Sequence, residues 1–258
     1  MELVNDRQNH IVRQLIEKGS VKVSDLSKQL SVSETTIRKD LLMLEKDNKL
    51  VRVHGGAHIV ETDIALMDMH NYPNRNLKMC VAKSVVDLIN EGDIIFLGSG
   101  TTCIEISQHL KYSHKNLTII SNNFSVVSNL SDVESFTVLC TGGRIESHGY
   151  FKVLHGDFVV QNLEGIFVQK SIMTSDGVSL SKGYTTYNRD EYYLFQTIKK
   201  ISDKIVFAVD STKFDNISLL PLANIEEIDT VVTDDNIPDD YRRYYEKNGV
   251  SLYIGSRD

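Results

Sequence analysis

No stretch of this 258-residue chain approaches the roughly 18 to 20 consecutive apolar residues that a membrane-spanning helix requires. Its start, "MELVNDRQNH", lacks the basic-then-apolar order of a secretory signal, so the expected location is the cytoplasm. Cysteine is scarce. Cys80, Cys103 and Cys140 are odd in number, far apart and each embedded in apolar sequence, which is the pattern of buried thiols rather than of a disulfide framework. The eight histidines form no H-E-x-x-H or comparable pattern, and the nearest pair, His54 and His58, brackets a Gly-Gly turn, so no metal centre is expected. Internal repeats and low-complexity segments are missing too.

What is present is an ordinary globular composition, 41% hydrophobic and 24% charged, with enough apolar sequence to bury a core. The net charge of −7 argues against a generic nucleic-acid coat, but it is unevenly spread. Residues 1–60 hold ten Lys/Arg against eight Asp/Glu, whereas the remainder is strongly acidic. The two parts therefore face different partners.

In the first sixty residues, Ile11, Leu15 and Ile16 recur at helical spacing and the segment stops at Gly19. Ser24 is the expected N-cap of a second helix carrying Leu26 and Leu30, with Val23 as its staple residue. After a tight turn at Ser31-Val32, Ser33 caps a third helix with Ile37, Leu41 and Leu44 on one stripe. This is the helix-turn-helix arrangement. If the stripe faces the core, Thr35, Thr36, Arg38 and Lys39 point outward, where they can meet base edges and phosphates in a major groove. An amphipathic helix in a plain bundle would show the same stripe, but not the preceding cap and turn. "LVRV" and "AHIV" flank a glycine turn and read as a wing, which puts Arg52, His54 and Gly55 against phosphate or minor groove. Residues 61–74 read as a linker.

From about residue 75 to 258, apolar strands alternate with helices, from "DIIFL" and "LTIIS" through "KIVFAVD" to "VSLYI". That alternation predicts an α/β fold with a mostly parallel sheet covered on both faces. "IFLGSGTTCIEI" sets Ser99, Gly100, Thr101 and Thr102 between a strand and a helix, where backbone N–H groups and two hydroxyls suit a phosphate. It is neither a G-x-G-x-x-G loop nor a Walker loop. "SNNF", "TGGR" and "DSTKF" follow other strands, and ligands of open parallel sheets collect at those carboxyl ends.

The run "SVSETTIRKDLLMLEKDNKLVRVHGGA" resembles the N-terminal signature of the DeoR family of bacterial transcriptional regulators, and the second segment continues the resemblance over essentially the whole chain. It implies a winged helix-turn-helix domain that contacts double-stranded operator DNA through a set including Ser33. It further implies a larger effector and oligomerisation domain resembling ribose-5-phosphate isomerases and glucosamine-6-phosphate deaminases in fold. There Gly100, Thr101 and Thr102 would hold a sugar phosphate, with Asn122, Gly142 and Gly143 lining the site. Asp176, Gly177 and Lys213 would face the sugar, and Asn74 and Lys78 would complete the pocket. Gly98 and Gln169 stand where many members have Asp, which would remove two carboxylates near the sugar or its supporting shell.

The expected function is a repressor of a carbohydrate-metabolism operon, without cofactor or catalytic residues, acting as a dimer or larger homo-oligomer because one such domain contacts too little DNA for tight binding. Two other readings stay open. One is a sugar-phosphate isomerase or deaminase with an accessory DNA-binding domain, whose base would come from Asp176, Asp210 or Lys213. The other is a DNA-binding protein whose second domain only oligomerises.

Overall fold

A computed structural model describes residues 7, 8, 10–12, 14, 15, 20–46, 50–53, 55–58 and 72–256, the backbone alone at 58. The chain divides into two compact units, Met1–His70 and Asn71–Asp258.

In the first unit the described positions from 7 to 15 are helical, and Ile11 and Leu15 are buried. Strand β1 (Ser20–Lys22) follows, then helices α1 (Val23–Leu30) and α2 (Glu34–Lys46), then strands β2 (Val51–Val53) and β3 (Gly56–His58). The strands pair antiparallel in the order β1-β3-β2, so the wing includes a third strand that its three residues were too short to announce. Ile37, Leu41 and Leu44 of α2 meet Val23 and Leu26 of α1 in one core, as the stripe predicts. Ser31 takes the left-handed conformation that ends α1, and Ser33 accepts the Thr36 N–H at 3.2 Å, capping α2.

Ser24 does not cap α1. Because β1 runs straight into that helix, Lys22 holds the cap position, and the Val23 N–H is satisfied by the Gly55 carbonyl at 2.9 Å. The wing turn thus terminates the helix. Gly56 serves packing: a Cβ there would lie 2.0 Å from the Val21 carbonyl oxygen, so only glycine lets β3 sit against β1.

In the second unit, seven strands among the described residues form one sheet in the order β15-β14-β12-β9-β4-β5-β6, with every neighbouring pair parallel. They are β4 (Ile94–Leu97), β5 (Leu117–Ser121), β6 (Phe136–Cys140), β9 (Val168–Met173), β12 (Ser202–Ala208), β14 (Thr230–Asp234) and β15 (Ser251–Gly255). The helices are α3 (Arg75–Leu88), α4 (Thr101–Leu110), α5 (Phe124–Leu130), α6 (Asp157–Leu163), α7 (Arg189–Ile201) and α8 (Asp239–Lys247). Tyr184, Phe195 and Phe207 anchor the core, with Tyr184 stacked on Phe207 at 4.1 Å and hydrogen-bonded to Tyr245. The sequence missed α6 and two small additions: a hairpin of β7 (Arg144–Ser147) with β8 (Lys152–His155), and an antiparallel sheet of β10 (Gly177–Ser179), β11 (Gly183–Thr186) and β13 (Leu220–Ala223). Cys80 and Cys103 are buried as expected, but Cys140 is exposed, because β6 is the sheet's edge strand. No helix among the described residues is long and apolar enough to cross a membrane.

One buried ion pair ties the first unit's helices together. Asp40 of α2, 3% exposed, accepts two hydrogen bonds from the Arg7 guanidinium, at 2.6 and 3.0 Å. Removing one partner of such a pair strands the other charge and costs about 3 kcal/mol or more. Arg7→Ala should therefore speed hydrogen exchange of the α1 and α2 amides by roughly 100-fold, one decade per 1.4 kcal/mol. Unchanged exchange would show that the pair holds nothing.

Candidate functional site

The first unit presents a polar face. Burying Ile37, Asp40, Leu41 and Leu44 leaves Thr35, Arg38 and Lys39 exposed on the first turns of α2, where the sequence placed them. Thr36 is only half-exposed and its hydroxyl lies 2.9 Å from that of Ser33, so both oxygens belong first to the helix cap. Arg38 pairs with Glu34 one turn earlier at 2.6 Å, both side chains half in solvent. Exposed pairs of this kind contribute only about 0.3–0.5 kcal/mol, against 1–3 kcal/mol for a bidentate base contact, so the pair is easily exchanged for DNA. On the wing, Arg52 is exposed beside Glu45, and Gly55 sits exposed at the hairpin tip with φ +83°. His54 lies outside the described residues.

In the second unit the strand order reverses between β4 and β9: the chain moves from β4 to β5 and β6 on one side, then from β9 to β12, β14 and β15 on the other. Such a switch point leaves a crevice at the carboxyl ends of the strands. Two adjoining cavities open there, of about 510 Å³ and 260 Å³, sharing Gly100, Phe151, Thr174, Ser175 and Asp176 in their walls.

The smaller cavity gathers groups that suit an anion. Gly100 precedes α4 with φ +95°, and a Cβ there would come 2.8 Å from Thr174 Oγ1, so glycine is required on both counts. Among the described residues no side chain caps α4, so the N–H groups of its first turn, at Thr101 and Thr102 on the cavity wall, have no side-chain acceptor. Lys213 stands on the wall from the loop after β12, with no ion-pair partner for its ammonium among the described residues. Lys78 is not a solvated helix lysine: its ammonium is buried 3.0 Å from Asp210 and 2.8 Å from the Pro73 carbonyl. Asn74, also on the wall, donates to the Thr212 hydroxyl at 3.3 Å. Tyr72–Asn74, which the sequence assigned to a linker, therefore belong to this wall.

The larger cavity brings two carboxylates, Asp176 and Glu191, together with Arg189, His148 and His155. Asp176 takes hydrogen bonds from the Thr186 hydroxyl and the Tyr187 N–H through one carboxylate oxygen. Glu191, from the first turn of α7, receives the Ser99 hydroxyl at 2.5 Å. Burial, reinforced by the Asp176 and Asp190 carboxylates, pushes Glu191 up to about 7, so it exchanges a proton near neutral pH. Burial pushes the His155 imidazole down against the pull of Asp190 and Glu146.

Several expected site residues do other work. Asn122 is fully buried behind the wall, its amide facing the Leu154 carbonyl at 3.4 Å and Glu191. Gly142 and Gly143 lie off both cavities and pack against Asn162 and the His155 carbonyl, while Gly177 packs against the Asn216 carbonyl. Gln169 sits at the opposite, amino end of the sheet, where its side chain accepts the Ile94 N–H at 2.7 Å, so a carboxylate lost there is not lost from the cavity. Gly98 does lie at the site end, beneath Met173.

Sequence reading missed Glu191, His148 and His155, and missed the anchor around Glu105. That carboxylate, 1% exposed in α4, receives the Tyr72 hydroxyl and the Arg75 guanidinium, each at 2.5 Å. Burial and then Glu105 push the Tyr72 phenol far up. Only helical spacing from Thr101 to Glu105 could have hinted at it.

Residues 7–63 match the DeoR-like helix-turn-helix domain, and residues 73–235 match the DeoR C terminal sensor domain. A putative aga operon transcriptional repressor of Escherichia coli O157:H7 is 31% identical over 97% of this chain and 93% of its own length. A lactose phosphotransferase system repressor of Lactococcus lactis subsp. lactis is 30% identical over 90% of this chain and 91% of that one. Among solved structures, ribose 5-phosphate isomerase A from Methanocaldococcus jannaschii aligns over 55% of each chain, at 18% identity and a TM-score of 0.41. The sensor match covers more than half of the chain and the helix-turn-helix match precedes it, so the chain belongs to the DeoR family of transcriptional regulators.

Proposed function

We propose that this regulator represses a carbohydrate operon, that α2 and the wing bind its operator, and that a phosphorylated sugar in the second unit's cavities controls it. The observation that carries the reading is the polarity of the cavity pair. One end offers an uncapped helix N-terminus, two hydroxyls and Lys213 to a phosphate; the other offers Glu191 and Asn188 to sugar hydroxyls, with Asp176 on the wall between them. In the smaller cavity Asp210 is already held by Lys78 whereas Lys213 has no carboxylate partner among the described residues, so that end favours the phosphate. No cofactor is needed for this role, and the protein acts in the cytoplasm.

The repressors similar to this chain are named for sugar systems, which supports the choice of ligand. Operator binding needs at least a dimer, because tight sites are read as two half-sites. The enzyme reading loses a base as well as a precedent. Asp210 is held by Lys78 and by Thr212, and the full-length relatives are named as regulators.

Arg38→Ala should weaken operator binding by about 1–3 kcal/mol and relax preference at one base pair, measured by anisotropy on operator variants at fixed salt. Affinities for the operator variants unchanged from those of the parent would move base readout off Arg38. Lys213→Ala should raise the sugar-phosphate dissociation constant about 10- to 100-fold, the effect of one charge-assisted hydrogen bond worth 1.5–3 kcal/mol, and leave effector-free operator binding intact. Calorimetry that finds the same affinity in both proteins would place the phosphate elsewhere.

A further inference from the structure

The β7–β8 hairpin carries a cluster to which the proposed function assigns no role. Arg144 pairs with His155 and Glu146 with Val153 in the antiparallel register, and side chains two residues apart share a face. Arg144, Glu146 and His155 therefore lie on one side, and His148 extends that side just past the strand. Glu146 Oε2 is 3.7 Å from His148 Nε2 and 3.7 Å from His155 Nε2, and the two nitrogens are 3.4 Å apart. Two imidazole nitrogens and a carboxylate oxygen thus form a nearly equilateral triangle.

A tetrahedral ion with bonds of about 2.0–2.1 Å spaces its ligands by about 3.3–3.4 Å. The triangle matches that spacing to within a few tenths of an ångström. We propose that Glu146, His148 and His155 are a three-ligand site for a divalent zinc-class ion at the rim of the larger cavity, with a fourth position open to water or another oxygen donor.

The outer atoms of the cluster are arranged to support it. Glu146 holds the Arg144 guanidinium with its other oxygen, Oε1, at 2.7 Å, which leaves Oε2 for the ion. His155 Nδ1 is 3.8 Å from Asp190 Oδ2, longer than a hydrogen bond, and a small shift would bring the carboxylate behind the imidazole as in many metal sites. His148 is stacked on Phe151, ring centres 5.5 Å apart. Asn188 also approaches His155 Nε2, at 3.5 Å, and would give way to the ion. One ion satisfies all three inward atoms together, whereas a proton on either nitrogen serves only one of the other two. Two nitrogens and one oxygen select zinc and its neighbours over magnesium or calcium. The geometry is independent of whether the cavity takes a sugar phosphate. His148 and His155 are seven residues apart, so no short metal motif marks them; only the hairpin register unites them.

The test is titration of the chelator-stripped full-length protein with cobalt(II) alone, followed by visible absorption, then displacement by zinc(II). The expected result is one cobalt per chain with the strong bands of a four-coordinate ion, bleached by zinc. His148→Ala, whose side chain is 39% exposed and so spares the core, should abolish the signal, and so should Glu146→Gln. Asp190→Asn should weaken binding about 10- to 100-fold, while His114→Asn, far along the chain, should leave it unchanged. No stoichiometric cobalt spectrum, or one that survives His148→Ala and Glu146→Gln, would overturn the proposal.

Discussion

A charge buried without a partner costs several kcal/mol, and the site end of this protein buries two sets of them. Lys78 is pinned between Asp210 and the Pro73 carbonyl, and Glu105 holds Arg75 and Tyr72. Each set joins the entry to α3 to a different part of the sheet's carboxyl end: the loop after β12 in one case, the body of α4 in the other. The segment from Tyr72 to Lys78 is therefore fixed by electrostatics that a ligand at the start of α4 must perturb. That same segment follows the chain leading from the first unit. Under the proposed function, a phosphate beside Lys213 shares its cavity with Lys78, and coupling between linked sites is typically about 1–3 kcal/mol.

The parallel sheet supplies the rest. Because every strand of it enters from the same end, the loops after β4, β9 and β12 come together without any long-range motif in the sequence. Thr174 locks two of them by donating to the Ser99 carbonyl at 3.1 Å, and the missing side chain of Gly100 permits the approach. The small sheet and the hairpin then enclose what an open crevice would leave to water. Asp176 hangs from Thr186 and Tyr187, and Glu191 comes in from α7, which Asn188 caps.

Much of this was legible because it rests on local rules. The α2 stripe, the Ser33 cap, the wing and the apolar strands all follow from spacing within a few residues, and the strand-to-helix loop puts Thr101 and Thr102 on the cavity wall. What escaped depends on distance in sequence. Glu191 is 92 residues from the Ser99 hydroxyl it accepts, and Asp40 is 33 from Arg7. Gly142, Gly143 and Gly177 lie off the cavity walls and pack on neighbouring groups, and a glycine that admits a neighbouring carbonyl looks in sequence like one that admits a ligand. Ser24 was misassigned for a related reason: the helix begins one residue earlier, at Val23, whose N–H meets the Gly55 carbonyl some thirty residues on.

The central claim is that the divided cavity takes a phosphorylated sugar. Thermal unfolding of the second unit, followed with matched sugars that differ only in the phosphate, tests it most directly. A ligand at 100 times its dissociation constant stabilises the native state by about 2.7 kcal/mol, which gives a clear upward shift in Tm. The account predicts that shift for one or a few sugar phosphates and none for their unphosphorylated partners or for inorganic phosphate at the same concentration. Equal shifts with and without the phosphate, or no shift across the panel in protein that still binds its operator, would contradict it.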